Sequence, residues 1–327
     1  MTPDGSDETA PWARVCRRLF GRHRRPSERP SAAADPATDP LAPGQLAPRP
    51  PAADPVDPGI APVERFREYL ARRCDAGVAT EFWWRDDDLA DDCDGFRHLA
   101  RLVRSIGVSP LVAAIPARLR PGIGAVVAGL PEITVCQHGY AHVSHEPAGA
   151  PKSEFGEARD MALVRADIAG GRRLMAEAFG RHHAAVFVPP WNRFLPCYAD
   201  ILVEEMFSGF SASGGPAALA DRPHLRCVDI DLSVLDWTDP PSIREPALLI
   251  AKLNDILMAA GLEPRAPIGI LTHPRAMGAA AWQTMEEVFA LVSAQSGARW
   301  RHPRELFGLE PAALRRAGAG AQGSPET

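Results

Sequence analysis

Between residues 80 and 275, short apolar runs alternate with stretches of helical spacing, a pattern that restricts the chain to a parallel α/β architecture. The runs are Thr80–Trp84, Ser109–Ile115, Ile133–Cys136, Ala185–Val188, Phe207–Ala212, Cys227–Leu235 and Ile268–Thr272. Between most of them, apolar residues recur every three or four positions. Phe96, Leu99, Val103 and Ile106 share one helical face, as do Val164, Ile168, Met175 and Phe179. Leu249, Leu253 and Ile256 form a third stripe, and Trp282, Met285, Phe289 and Val292 a fourth. Periodicity alone leaves a closed barrel and an open sheet equally acceptable.

Proline marks the boundary of the folded part. Thirteen of the 33 prolines fall in residues 1–62, among Ala, Asp, Ser and Gly, and beyond about residue 25 this stretch shows no apolar period. Such a segment cannot bury enough surface to offset its ordering entropy, so residues 1–62 are expected to be a disordered leader. Within it, residues 12–25 have the pattern of a short basic amphipathic helix, read first as a transient helix in a tail and second as a peripheral membrane or partner contact. Residues 314–327 read as a disordered tail, which leaves 63–313 as a single domain.

Net charge is −5, which argues against a general nucleic-acid binder. No run approaches the roughly 20 apolar residues of a membrane span, and no apolar core with a small-residue cleavage site suggests a signal peptide. The six cysteines are scattered without a CxxC pair, which fits a reduced compartment; a cytoplasmic location is the expectation.

Polar residues gather where the strands end. Glu81-Phe-Trp-Trp-Arg85 runs directly into Asp86-Asp87-Asp88. An acidic run is usually a solvated turn, but one that directly follows a hydrophobic strand aims a carboxylate into the mouth of the fold. The third strand leads into His138-Gly-Tyr-Ala-His142-Val-Ser-His145, and imidazole is the commonest metal ligand near neutral pH. Gly139 stands where a helical HExxH site needs its glutamate, so this is a different kind of site. The fourth strand ends in Pro189-Pro-Trp191-Asn-Arg193, a rigid turn that can leave the Trp191 N–H free. Asp236-Trp237 follows the sixth strand, and Leu271-Thr-His273 closes the seventh. Taken singly, each is more often a satisfied polar residue than a catalyst. Together, at the C-terminal ends of separate strands, they occupy the place where parallel barrels collect active sites.

In this order the stations resemble the polysaccharide deacetylases, the NodB-homology enzymes of carbohydrate esterase family 4, over about residues 80–275. The resemblance implies a distorted (β/α)7 barrel and one divalent metal ion, commonly zinc. By motif, Asp86 resembles the catalytic base, Asp87 the metal ligand, and His138 and His142 the two imidazole ligands. Trp191 resembles the backbone oxyanion donor, Asp236 the carboxylate that orients the catalytic acid, and His273 that acid. Leu271 would line the acetyl pocket, with Asp88 and His145 as further supporting candidates. The implied reaction is removal of an N-acetyl, or less commonly O-acetyl, group from a glycan or glycoconjugate by a metal-activated water.

The chain departs from the family pattern in two places. Thr-Phe-Asp-Asp-Gly is matched to Trp84-Arg-Asp-Asp-Asp88, and the arginine expected before Pro-Pro is Val188. Arg85, Arg193 or Arg159 would have to pair with the base instead. Lys152-Ser-Glu-Phe-Gly-Glu-Ala-Arg159 accompanies these variants in a bacterial subgroup of the family. A metal-dependent amidase acting on an acylated small molecule, and a glycan-binding barrel without catalysis, are the alternative readings.

Overall fold

The computed structural model describes residues 61–213, 219, 222, 224–237 and 241–309. The leader through residue 60, with its basic segment 12–25, and the tail from residue 310 lie outside the described residues. Pro62, expected at the end of the leader, instead opens the first helix, α1 (Pro62–Asp75). Proline is favoured at that position because its missing N–H would have no helical partner anyway.

The strands in chain order are β1 (Thr80–Leu89), β2 (Pro110–Ala114), β3 (Thr134–His138), β4 (His183–Val188), β5 (Gly209–Phe210), β6 (Arg226–Cys227), β7 (Leu232–Ser233), β8 (Leu235–Asp236), β9 (Ser242–Ile243), β10 (Ile268–Thr272) and β11 (Ala298–Trp300). The larger helices among them are α2 (Asp94–Ile106), α3 (Ile123–Ala128), α4 (Met161–Phe179), α5 (Ala199–Glu204), α6 (Pro246–Ala260) and α7 (Ala279–Ser293), followed by the short α8 (Pro303–Leu306). The main sheet is parallel, in the order β6-β5-β4-β3-β2-β1-β10-β7, with β11 added to the start of β1.

The two ends of that order, β6 and β7, belong to one bent segment. Leaving β6, the amides of Val228 and Ile230 donate to Phe210 and Ala212 on the β5 side, at 3.0 and 2.9 Å. The Asp231 amide then donates to Gly269 O on β10 at 2.8 Å, and Asp231 Oδ2 accepts from the Gly269 amide at 2.8 Å. The single strand expected over Cys227–Leu235 therefore crosses between the two sheet edges, and the fold is the distorted (β/α) barrel that the sequence resemblance implies.

Side chains alternate across the sheet. Trp83, Leu111, Ala113, Cys136, Val186, Val188 and Leu271 pack inside the barrel, whose lower end is filled by Leu306 and Phe307. Phe82, Trp84, Val112, Val135, Ile268 and Ile270 face outward against the buried helix faces anticipated from spacing, including Phe96, Leu99, Val103, Leu249, Leu253, Met285, Phe289 and Val292. Trp84 meets Phe289 edge-on with ring centroids 5.0 Å apart. Among the described residues no helix is long and apolar enough to cross a membrane.

The crossing segment is tightly packed. A Cβ built on Gly269 would stand 2.6 Å from Trp83 Nε1 and 2.7 Å from both Asp229 O and Ile230 Cα. Gly269→Ala should therefore lower unfolding free energy by about 1–3 kcal/mol, since backbone cannot give way as a flexible side chain can. Gly170→Ala in α4, where the nearest atom is 3.6 Å away, should be neutral or stabilising by up to about 1 kcal/mol. Urea denaturation of the two variants checks both; equal midpoints would contradict the tight seam.

Candidate active site

The upper half of β1 carries the densest charge in the barrel. The strand runs on through the acidic residues to Leu89, so they form its C-terminal half and not a turn after it. Alternation then divides them. Trp83, Arg85 and Asp87 point inward, whereas Trp84 and Asp86 point toward the helices. Asp86 is fully buried there, its Oδ2 accepting from Thr272 Oγ1, which in turn accepts from Trp84 Nε1 at 2.8 Å. Burial pushes its carboxyl well above the ordinary range, the Thr272 hydrogen bond opposes this, and Asp87 and Asp88 raise it further. Expected as the base, Asp86 lies instead on the outer face of the strand.

Asp87 stands where a base could act. Its Oδ2 accepts from Arg85 Nη2 at 2.9 Å and lies 4.0 Å from His273 Nε2, while its buried Oδ1 has no hydrogen-bond partner among the described residues. Arg85 is wholly buried and also donates to Ser211 Oγ at 2.9 Å and Asn192 Oδ1 at 2.7 Å. Of the three arginines considered for that pairing, Arg85 is the one that makes it. Arg193 donates to the Lys152 carbonyl at 2.8 Å, and Arg159 holds His145 and Asp167.

The carboxylate beside the two histidines is Asp88, not Asp87. Asp88 Oδ1 is 3.3 Å from both His138 Nε2 and His142 Nε2. The three ligand atoms lie within 4.8 Å of one another. Alternation alone would turn Asp88 outward with Asp86. Its φ of 76°, at a register shift between β1 and β2, turns it toward the histidines. Three donors converge, and the 3.3 Å separations match the edge of a tetrahedron around an ion held at roughly 2.0–2.1 Å. Asp88 Oδ1 is buried yet accepts no well-formed hydrogen bond among the described residues. These residues fit a divalent metal ion.

The shifts of Asp88 and His142 favour the ligating forms, while that of His138 runs the other way. His138 Nδ1 donates to the Val188 carbonyl at 3.0 Å, which leaves Nε2 its lone pair. Burial, followed by the neighbouring His138, lowers His142 to about 4. Burial pushes Asp88 up, but His138, His273 and His142 outweigh it and hold the carboxyl well below its usual range. For His138, burial is outweighed by Asp87 and Asp88, which raise it.

A buried glutamate shapes the histidine loop. Glu154 accepts from the amides of Tyr140, Ala141 and His142 at 3.1, 2.7 and 3.1 Å. Those bonds hold His142 at a φ of 54°, a conformation unfavourable for a side-chain-bearing residue. Gly139, at φ 55°, leaves room for the carboxylate, since a Cβ there would lie 2.1 Å from Glu154 Oε2. Glu154 was not among the expected site residues, although the segment 152–159 that contains it was a recognised motif. Only the long return of the loop after β3 brings it under His142.

The remaining stations surround the same end of the barrel. Trp191 and Asn192 both have φ 54°, and the Asn192 and Arg193 amides turn back to the Pro189 and Pro190 carbonyls. The Trp191 ring packs 4.3 Å from that of His142, centroid to centroid. His273 sits edge-on to Trp237, with centroids 4.6 Å apart, and its buried Nδ1 has no hydrogen-bond partner among the described residues. Burial lowers its pKa against the pull of Asp88 and Asp87. Asp236, expected to orient His273, instead extends toward solvent, with Arg244 Nη2 3.5 Å from its Oδ1. Trp237 is the residue of that pair that reaches the imidazole. Leu271 is buried in the barrel interior, and His145 lies with Arg159, apart from the metal-ligand cluster.

The fold is that of the polysaccharide deacetylases. A candidate polysaccharide deacetylase from Mycobacterium smegmatis superimposes with a TM-score of 0.53 at 16% identity, over 76% of this chain and 96% of that one. Another, from Pseudomonas aeruginosa PAO1, gives a TM-score of 0.54 at 14% identity, covering 76% and 94%. No protein-family model and no curated protein matches the sequence.

Metal binding separates the roles of these carboxylates. Asp88→Ala should weaken Zn2+ binding at least 100-fold, whereas Asp87→Asn should retain it within about tenfold. Glu154→Gln, which lacks the charge to hold three amides, should weaken Zn2+ binding about 10–100-fold. Isothermal titration of the metal-free protein with Zn2+ measures all three, and undiminished binding by Asp88→Ala would remove it from the ligand set.

Proposed function

We infer that this chain is a metal-dependent hydrolase that removes acyl groups, N-acetyl foremost and O-acetyl second, from a glycan or glycoconjugate. The observation that carries this reading is the placement of the Asp88, His138 and His142 donors beside Asp87 and His273 at one end of the barrel. Asp88, His138 and His142 would hold the ion, and one carboxylate with two imidazoles suits zinc. When bound, such an ion polarises an acyl oxygen and makes a nearby water more acidic.

The chain's own groups then divide the proton transfers. Asp87 Oδ1, the oxygen left unbonded, would accept a proton from the attacking water. Arg85 holds the other oxygen and fixes the orientation of the carboxylate. His273 Nε2, 4.0 Å from Asp87 Oδ2, would take up the proton that Asp87 has accepted and pass it to the leaving nitrogen or oxygen. Trp237 fixes the ring by packing where the family resemblance expected an aspartate. The Trp191 amide, which makes no hydrogen bond among the described residues, is the candidate donor to the oxyanion.

Acetate release from N-acetylated chitooligosaccharides, O-acetylated oligosaccharides and a panel of acylated small amides tests the reading. We expect release that stops on chelation and returns with Zn2+. Asp87→Asn should lose at least 100-fold in kcat, while Asp86→Asn should stay within about tenfold of the parent. A larger loss in Asp86→Asn than in Asp87→Asn would return the base to Asp86. Absence of release from every substrate by the metal-loaded protein would overturn the hydrolase assignment.

A further inference from the structure

Resting on the hydrolase reading, we propose that the substrate carries an anionic group, a carboxylate or a phosphate ester, next to its acyl group. That group would be received by Arg118 and Arg120. A cavity of about 490 Å³ opens beside the metal-ligand cluster, and Asp88 and His142 form part of its wall. The rest of the wall is Ala90, Asp91, Ile115, Ala117 and Leu119, with the three arginines Arg118, Arg120 and Arg275.

The charges in this cavity do not cancel. Arg275 Nη1 is paired with Asp91 Oδ1 at 2.8 Å. The charge of Asp88 is turned to His138 and His142. Arg118 Nη2 donates to the His142 carbonyl at 3.0 Å, a neutral acceptor that fixes the guanidinium beside the metal-ligand cluster without neutralising it. Arg120 forms no ion pair among the described residues; its amide, donating to Ala90 O at 2.8 Å, anchors the backbone there. Two cations thus face a shared cavity in a chain whose net charge is −5.

The chemistry of the lining points the same way. Neutral sugar rings are commonly received on aromatic faces, and among the described residues this cavity wall has no aromatic ring other than the His142 imidazole. Guanidinium groups match carboxylate and phosphate oxygens through paired N–H donors. Acting near the surface, they would steer anionic substrates more than they would tighten a neutral one.

The test uses the metal-loaded full chain and matched N-acetylated disaccharides that are neutral, carry a neighbouring uronate carboxylate, or carry a phosphate monoester. Acetate release gives kcat/KM for each, and calorimetric binding of the same three compounds gives a readout independent of turnover. We expect at least a tenfold preference for one of the acidic compounds, with the two acidic arms distinguishing carboxylate from phosphate. Arg120→Gln should reduce that preference about tenfold, and Arg120→Lys should restore much of it. Equal turnover and equal binding of neutral and acidic compounds would overturn the proposal while leaving the hydrolase reading intact. Preferential binding of an acidic compound without any acetate release would retain the cationic subsite and refute the hydrolase reading.

Discussion

The site is organised around the buried guanidinium of Arg85. From β1 it reaches Asp87 on its own strand, Ser211 just past β5, and Asn192 in the turn after β4. A lone cation inside a barrel would be costly, and each of these bonds offsets part of that desolvation. Removing Asp87 would leave the cation unpaired, a loss that for buried pairs is about 3–5 kcal/mol. The same pairing makes Asp87 an oriented carboxylate with one oxygen restrained and the other available.

Backbone geometry provides the second constraint. Asp88, His142, Trp191 and Asn192 all have positive φ, and all four lie around the metal-ligand cluster. Each such residue costs roughly 1–2 kcal/mol unless its surroundings fix it. The surroundings are visible here. Glu154 ties three consecutive loop amides, Arg85 holds the Asn192 side chain, and the β1–β2 register shift accommodates Asp88. The histidine loop and the Pro-Pro turn also meet directly, since the Val188 carbonyl accepts from both the Gly139 amide and His138 Nδ1.

Much of this was legible in the sequence because strands and helices have fixed periods. The inward set at Trp83, Leu111, Cys136, Val186 and Leu271 follows from alternation, and the helix faces follow from spacing near 3.6. His138, His142, Trp191 and His273 converge because strand ends converge in a parallel barrel. The choice among three adjacent aspartates was the difficult step. Alternation counted from Trp83 assigns Asp87 to the interior and Asp86 to the helical side, but it also sends Asp88 outward. Only the turn of the chain at Asp88 reverses that, and three identical residues in a row give no sign of which one turns. Glu154 and Trp237 were hidden for another reason: their contacts depend on the paths of loops, which have no period.

On the proposed assignment of Asp87 and Asp88, the two departures from the family pattern become linked. The Thr-Phe-Asp-Asp-Gly frame then falls on Arg85–Leu89, and its first position supplies the arginine that the family places before Pro-Pro. Val188 occupies the vacated position and is fully buried in the barrel interior. Loss of Arg85 would leave Asp87 buried without its counter-charge. Asp87 thus has its cationic partner on its own strand, in a barrel where position 188 is apolar.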